Sequence, residues 1–387
     1  MTNTESQSPQ KLLPKLFIDA RMVSAKPHGI ARYVTRLAEG LGEIASRSEL
    51  PYEPVFLIDS KAVMPEESVF RDFAVCEVDV PFLHPTESWQ ISRILKHLGA
   101  DLYHSPSFSS LVSAPCPSVV TLHDLNHLTY GGWKERAYYR FLLRSFAQKS
   151  LAVLTVSQFS KLEIAEWLGQ DSDSPNPIEV VPNALGPEFS GVVTDEDAAP
   201  ALQAYGLSAR AFFLCVSNSK THKNTSTVFA AYQEYLARLK RSGYAPWPLV
   251  TNVDPSELGA ARENVVLVQD LSDEHYRALL AVCGAFLFPS LYEGFGLPPV
   301  EAAVLGAPLL VSDIPALREA LGTMTSSEAV WVKPLDQTGW ADVMIRAMQG
   351  AMKGPNLETR SRLLTQYTVA KLASNMDRIY RRVLKLT

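Results

Sequence analysis

Cysteine is scarce. The 387-residue chain has four, Cys76, Cys116, Cys215 and Cys283, all far apart. No pair stands at C-x-x-C spacing, which argues against a zinc site or a redox dithiol, and the density is too low for a disulfide framework. A reducing cytosol is the compartment this pattern suits. Basic charge is not in excess either. Thirty-six Lys and Arg face 41 Asp and Glu, for a formal net charge of -5 and a pI near 6.0, so a dedicated nucleic-acid binder is not expected. Apolar runs such as Ala302 to Val311 fall short of the ~20 residues that span a bilayer. The first ten residues, MTNTESQSPQ, hold no apolar h-region, so no secretory leader is expected. No G-x-x-x-x-G-K-[ST] loop, no G-x-G-x-x-G after a strand and no G-x-S-x-G elbow occurs.

What is present is the composition of a globular protein, 47% hydrophobic and 20% charged, long enough for two or three domains at roughly 150 residues each. After a polar leader, LPKLFIDA reads as a buried strand and Ile30 to Leu41 has helical spacing. PVFLID, ADLYHSP, PSVVTLHD, LAVLTVS and IEVVPN are further strands, separated by helical patterns. The segment 183–200, NALGPEFSGVVTDEDAAP, reads as a linker. Alternation restarts with FFLCVS, a helix over Asn224 to Leu239, then PLVTNV, NVVLVQD, AFLFPS and PLLVSD. Strands alternating with helices imply parallel α/β sheets, here in two domains joined near residue 190.

The most informative string is Phe288 to Pro308, FPSLYEGFGLPPVEAAVLGAP. A buried strand leads into a turn with Gly294 and Gly296. Pro298 and Pro299 suit the first turn of a helix, and Gly306 and Pro308 stop it. Free N–H groups and a positive dipole end favour a phosphate or another anion there. Glu293 and Glu301 bracket the turn, and carboxylates of this kind suit the paired hydroxyls of a sugar or ribose.

This string resembles the E-G-F-G-L-P-x-x-E signature of family 4 glycosyltransferases, and other segments extend the resemblance over roughly residues 15 to 380. It implies the α/β GT-B fold, two Rossmann-like domains facing across a cleft. The N-terminal acceptor domain would span 13–190 after a leader of 1–12. The nucleotide-sugar domain would span 191–365, and a helix in 366–387 would cross back onto the first domain. It further implies that Glu293 contacts the donor sugar, that Glu301 grips the ribose, and that the N–H groups of Phe295, Gly296 and Leu297, beside Gly294, face the sugar and diphosphate. HGIARYVTRLAEGL is similar to the family's first loop and helix, with Gly29 near the donor phosphates and Ala31 where a second glycine is common. His123 matches a residue that contacts the donor sugar. In FFLCVSNSKTHKN, Lys223 matches a diphosphate-binding cation. Asn218 stands where many members have Arg, so one cation is missing unless Lys220 compensates. Gln269 to Leu271 would meet the nucleobase, although LVTNVDPSELG departs from a Gly-rich strand end. Ser157 and Asn183 would shape the first domain's side of the cleft.

Three further signals are weaker. His123 and His127 have a possible metal spacing, but the segment starts in a strand and lacks a clear third ligand. Asp171-Ser172-Asp173 is an Asp-x-Asp in a Ser/Pro-rich loop, which reads as solvated. Residues 131–150 place Arg136, Arg140 and Arg144 four apart, a basic stripe beside Trp133, Tyr138, Phe141 and Leu142. That stripe suits either a lipid-diphosphate acceptor and an anionic membrane or a solvated helix packed on the sheet. The segment from Leu357 onward is also basic.

Taken together, the resemblance implies a retaining glycosyltransferase without cofactor or catalytic metal. The favoured transfer is mannose from GDP-mannose to a glycan or lipid-linked acceptor in polysaccharide synthesis, in the cytoplasm, with possible peripheral contact at the inner face of its membrane. UDP- or dTDP-linked donors, a non-catalytic nucleotide-sugar binding protein and a GT-B epimerase or glycogen-type enzyme are the alternatives.

Overall fold

The computed structural model describes residues 12–24, 29–62, 68–170, 177–259 and 261–386. The leader up to residue 11 and the Asp171–Asp173 string lie outside them. The first sheet is fully parallel, in the order β3-β2-β1-β4-β5-β6-β7. Its strands are β1 Lys15–Asp19, β2 Glu53–Asp59, β3 Ala74–Val78, β4 Leu102–Ser105, β5 Ser118–Thr121, β6 Ala152–Thr155 and β7 Ile178–Val180. The second runs β10-β9-β8-β11-β12-β13, with β8 Phe213–Cys215, β9 Leu249–Thr251, β10 Val265–Leu267, β11 Ala285–Phe288, β12 Leu309–Ser312 and β13 Ala329–Val332. Strands β3 and β13 were not anticipated. The edge strand β3, AVCEV, is largely exposed and carries a charge, so it lacks the continuous apolar run of a buried strand.

Strand alternation sorts each sheet's side chains onto two faces. Leu16 and Ile18 enter one core while Phe17 enters the other. Phe212 and Leu214 point one way, Phe213 and Cys215 the other. In each sheet the strand order reverses next to the first strand, between β1 and β4 and between β8 and β11. Such a reversal opens a crevice at the carboxyl ends of the strands.

The expected linker is shorter than 183–200. The acids Asp195, Glu196 and Asp197 form the first turn of helix Asp195–Tyr205, which Thr194 starts with a capping box to Asp197. A run of acids is thus the favourable charge at a helix N-terminus, not the mark of a loop. The last helix, Val369–Val383, packs on helix Gly29–Arg47 of the first domain, burying Leu372, Met376 and Tyr380. A Cβ on Gly40 would lie 2.4 Å from that of Ala373, so a glycine is what lets these helices approach. The basic residues at this end are largely engaged within the chain. Arg360 and Arg362 donate to the carbonyls of Val304 and Leu321, at helix C-termini, and Arg378 and Arg382 pair with Glu179.

Candidate active site

The carboxyl ends of both sheets face one cleft. The loop after β11 and the helix Leu297–Leu305 form its second-domain wall. Gly296 adopts φ 93°, and the helix opens on Leu297 with prolines in its first turn. The expected donors Phe295, Gly296 and Leu297 therefore stand at a helix N-terminus. The Phe295 side chain is core, edge-on to Tyr367. Glu293 lies outside the helix and accepts from Lys223 Nζ at 2.6 Å. Both side chains are mostly buried, 12% and 19% exposed. Lys223 comes from the short turn after β8, which Asn224 closes with φ 55°. Asn224 is fixed there by Nδ2 bonds to the carbonyls of Pro289 and Pro334. Asparagine tolerates this left-handed conformation.

The first domain meets this loop closely. A Cβ on Gly294 would fall 2.2 Å from the carbonyl oxygen of His123, so the backbones of the two expected sugar-contacting segments touch. The His123 ring lies 3.0 Å from the Pro106 carbonyl through Nε2 and edge-on to Tyr33. Beside it, Asp124 is partly buried. Burial, reinforced by Glu293, pushes its carboxyl up to about 6. Ser157 caps helix Gln158–Leu168 and also donates to the Gly294 carbonyl at 2.6 Å, joined by Ser160 at 3.2 Å. Glu319 reaches from the second domain to the N–H groups of Gln158 and Phe159, at 2.6 and 3.0 Å. It completes that helix N-terminus across the domain boundary. Tyr292 donates to Glu163 at 2.5 Å and accepts from the Leu125 N–H at 3.1 Å. Asn183 leaves its buried Oδ1 without a hydrogen-bond partner.

A cavity of about 700 Å³ opens beside these elements. Gln269 and Leu271 line it, as does Ser217, whose N–H and carbonyl are both held by the side-chain amide of Asn252 at 2.8 Å. That clamp stands where the sequence departs from the family's Gly-rich strand end. Asn218 is exposed and accepts from the Lys220 N–H. Gly29 begins the 19-residue helix at the cleft, and a Cβ there would meet no atom within 4 Å. Glu301 is 2% exposed and held by two groups. Tyr276 Oη donates to it at 3.0 Å, and Arg32 Nη1 reaches across from the first domain at 3.2 Å. Burial raises the Glu301 carboxyl and Arg32 opposes the rise.

Arg32, Tyr276, Asn252, Tyr292 and Glu319 were missed. Each acts through a partner 25 or more residues away, a distance that spacing rules do not reach. Among the described residues no group of three or more His, Cys, Asp or Glu could hold a metal ion. No helix of the described residues is long and apolar enough to cross a membrane.

The basic stripe is not continuous. A π turn, Tyr139–Leu143, separates helices Trp133–Tyr138 and Arg144–Lys149. A π turn adds a residue to the helical repeat, so positions four apart no longer stack. Arg136 and Arg140 are exposed, whereas Arg144 turns inward with its Nε buried. The outward surface is instead formed by Trp133, 76% exposed, and Phe141, 74% exposed, beside Lys134, Arg136 and Arg140.

Comparison with known proteins agrees with this architecture. Residues 27–189 match Glycosyltransferase Family 4, and residues 256–363 match Glycosyl transferases group 1. The chain is 30% identical over 237 residues, 57% of its length, to the serotype-specific mannosyltransferase WbdA of Escherichia coli. It is 29% identical over 229 residues to the O-antigen chain mannosyltransferase RfbU of Salmonella typhimurium. These matches span 28% and 58% of the two relatives. The fold also follows known structures; against HepE of Anabaena in complex with UDP-glucose the TM-score is 0.69 at 13% identity, covering 95% of this chain and 99% of that one. With one family description on each half and both halves built on the expected sheets, the chain belongs to the family 4, group 1 glycosyltransferases of GT-B fold.

Proposed function

We propose that the chain transfers a hexose from a nucleotide sugar, with retention of configuration, to a glycan or lipid-linked acceptor in O-antigen or related polysaccharide synthesis. The observation that carries this reading is the Lys223–Glu293 pair at 2.6 Å, set beside a helix N-terminus and facing the His123 segment. The C1–O bond to the diphosphate breaks and its electron pair leaves with the phosphate oxygen. Lys223 and the N–H groups of Phe295 to Leu297 stabilise that charge. Glu293 and His123 position the sugar. An acceptor hydroxyl attacks C1 from the face the diphosphate leaves, and its proton passes to the departing phosphate oxygen. No catalytic metal takes part in this reading. The contacts of Ser157, Ser160, Glu319 and Tyr292 keep the cleft shut, which limits hydrolysis.

GDP-mannose is the favoured donor, on the mannosyltransferase names of WbdA and RfbU. A UDP-linked sugar is the second reading, favoured by the UDP-glucose held by HepE. In the first domain, Trp133 and Phe141 with Lys134, Arg136 and Arg140 would rest on an anionic membrane at its cytoplasmic face and so meet a lipid-linked acceptor. The test is a donor screen that follows nucleoside diphosphate release with and without lipid-linked acceptors, with the product anomer read by NMR. GDP release from GDP-mannose and an α-mannosyl product are expected. Neither release nor nucleotide-sugar binding with any donor would sink the transferase reading, and an inverted anomer would sink retention.

A further inference from the structure

We propose that Arg32 is the cation through which the first domain binds the donor's diphosphate, in place of a cation at position 218. The proposal rests on the reading of the cleft as a nucleotide-sugar site. It starts from a charge inventory. Among the described residues lining the 700 Å³ cavity, Arg32 alone is cationic, and Asp273 beside it is acidic. Just beneath lies Glu301. Lys223, the other nearby cation, belongs to the second domain and is paired with Glu293, so it leaves the first domain's side of the diphosphate to another group. Position 218 is an asparagine that accepts a backbone N–H. A nucleoside diphosphate carries at least two negative charges, and among the described residues of this wall the carboxylates of Asp273 and Glu301 oppose its entry.

Arg32 is built to reverse that. It stands in the first turn of helix Gly29–Arg47, and its guanidinium crosses the cleft to Asp273 at 2.9 Å and to Glu301 at 3.2 Å. Those bonds use two of the five N–H donors of a guanidinium. The fork is therefore fixed in place yet retains donors, and its side chain is 27% exposed. A rigid planar fork suits bidentate binding of phosphate oxygens better than a lysine does. Because this cation belongs to the first domain and the ribose carboxylate to the second, the diphosphate is fully neutralised only when the cleft is closed. Nucleotide affinity and domain closure are thereby tied to one side chain.

The test compares wild type with Arg32→Gln, Arg32→Lys and Asp273→Asn, by calorimetric titration with GDP, GMP and guanosine and with the uridine series. For whichever base binds, Arg32→Gln should weaken the diphosphate by about tenfold or more, the worth of one charged hydrogen bond. The loss should shrink for the monophosphate and vanish for the nucleoside, and Arg32→Lys should recover part of it. Asp273→Asn keeps the cation and removes an acid, so the diphosphate should bind at least as tightly. An equal loss for all three ligands would place Arg32 on the ribose and overturn the proposal. Tighter binding would make it a plug, unchanged binding would make it idle, and a loss in Asp273→Asn equal to that in Arg32→Gln would make the ion pair rather than the charge decisive; each overturns the proposal. A wild-type protein that binds none of the six ligands would instead bring down the reading of the cleft, and this proposal with it. Unchanged circular dichroism and melting temperature in Arg32→Gln separate lost binding from lost folding.

Discussion

Lys223 and Glu293, seventy residues apart in sequence, meet at 2.6 Å where the ends of β8 and β11 open the second sheet. The pair holds both side chains at the point where leaving diphosphate and sugar would join. Lys223→Ala and Glu293→Ala should each lower turnover by about tenfold or more while leaving the fold intact. Because each residue fixes the other, the double variant should lose less than the product of the two single losses. Steady-state rates of nucleoside diphosphate release check this, and near-normal rates in either single variant would move the chemistry elsewhere.

The domains touch at Gly294. A methyl group there meets the His123 carbonyl at 2.2 Å and Asp124 Cβ at 2.9 Å. The contact lies between the domains rather than within either core, so Gly294→Ala should leave the melting temperature almost unchanged. Turnover should fall by as much as about a hundredfold, because the groups proposed to bind the sugar can no longer reach their positions. Small-angle scattering should show a more open particle. A variant with normal turnover would show that this approach is not needed for reaction.

Asp124 gives a pH signature. Burial and the charge of Glu293 push its carboxyl up to about 6, against an ordinary 3.8. The folded chain thus holds this proton more tightly than the unfolded chain does. Its ionisation opposes folding increasingly as the pH rises from about 4 to about 6. Asp124→Asn keeps an acceptor for the Asn126 N–H and removes the charge. It should be more stable than wild type at pH 7, by at most about 3 kcal/mol, with the gain fading by pH 4. Urea melts at the two pH values decide it. Equal gains at both would mean that the charge is not the cause.

Local patterns made most of the sheets legible. Strands such as LFID, VVT and FLF are apolar β-branched or aromatic runs that end in polar turns, and all appear in the two sheets. The helix at Leu297 was legible because Gly296, Pro298, Pro299 and Gly306 punctuate it. The largely exposed strand β3 escaped for want of such a run. The residues that join the domains escaped for a different reason. Arg32, Glu319 and Tyr292 are ordinary polar residues in their own segments. They acquire a role only from Glu301, the Gln158 helix start and Glu163, which folding brings to them. The π turn at Tyr139–Leu143 is the reverse case, since a local four-residue spacing suggested a stripe that the backbone breaks.

That break yields a sharp discrimination at the proposed membrane surface. If the exposed face binds anionic lipid, Trp133 and Phe141 supply apolar burial, and Lys134, Arg136 and Arg140 supply charge. Each basic residue near the surface contributes about 1 kcal/mol, roughly fivefold in binding. Arg144 lies in the same apparent stripe but faces inward, with its Nη2 beside Gly169 at the end of helix Gln158–Leu168. Co-sedimentation with phosphatidylcholine vesicles containing increasing phosphatidylglycerol should therefore show binding that rises with the anionic lipid and falls with salt. Trp133→Ala, Phe141→Ala and Arg140→Ala should each weaken it. Arg144→Gln should bind vesicles like wild type and show its effect in thermal stability alone. Binding indifferent to phosphatidylglycerol, or an Arg144 variant as impaired as Arg140→Ala, would remove this surface from the account of how the acceptor is met.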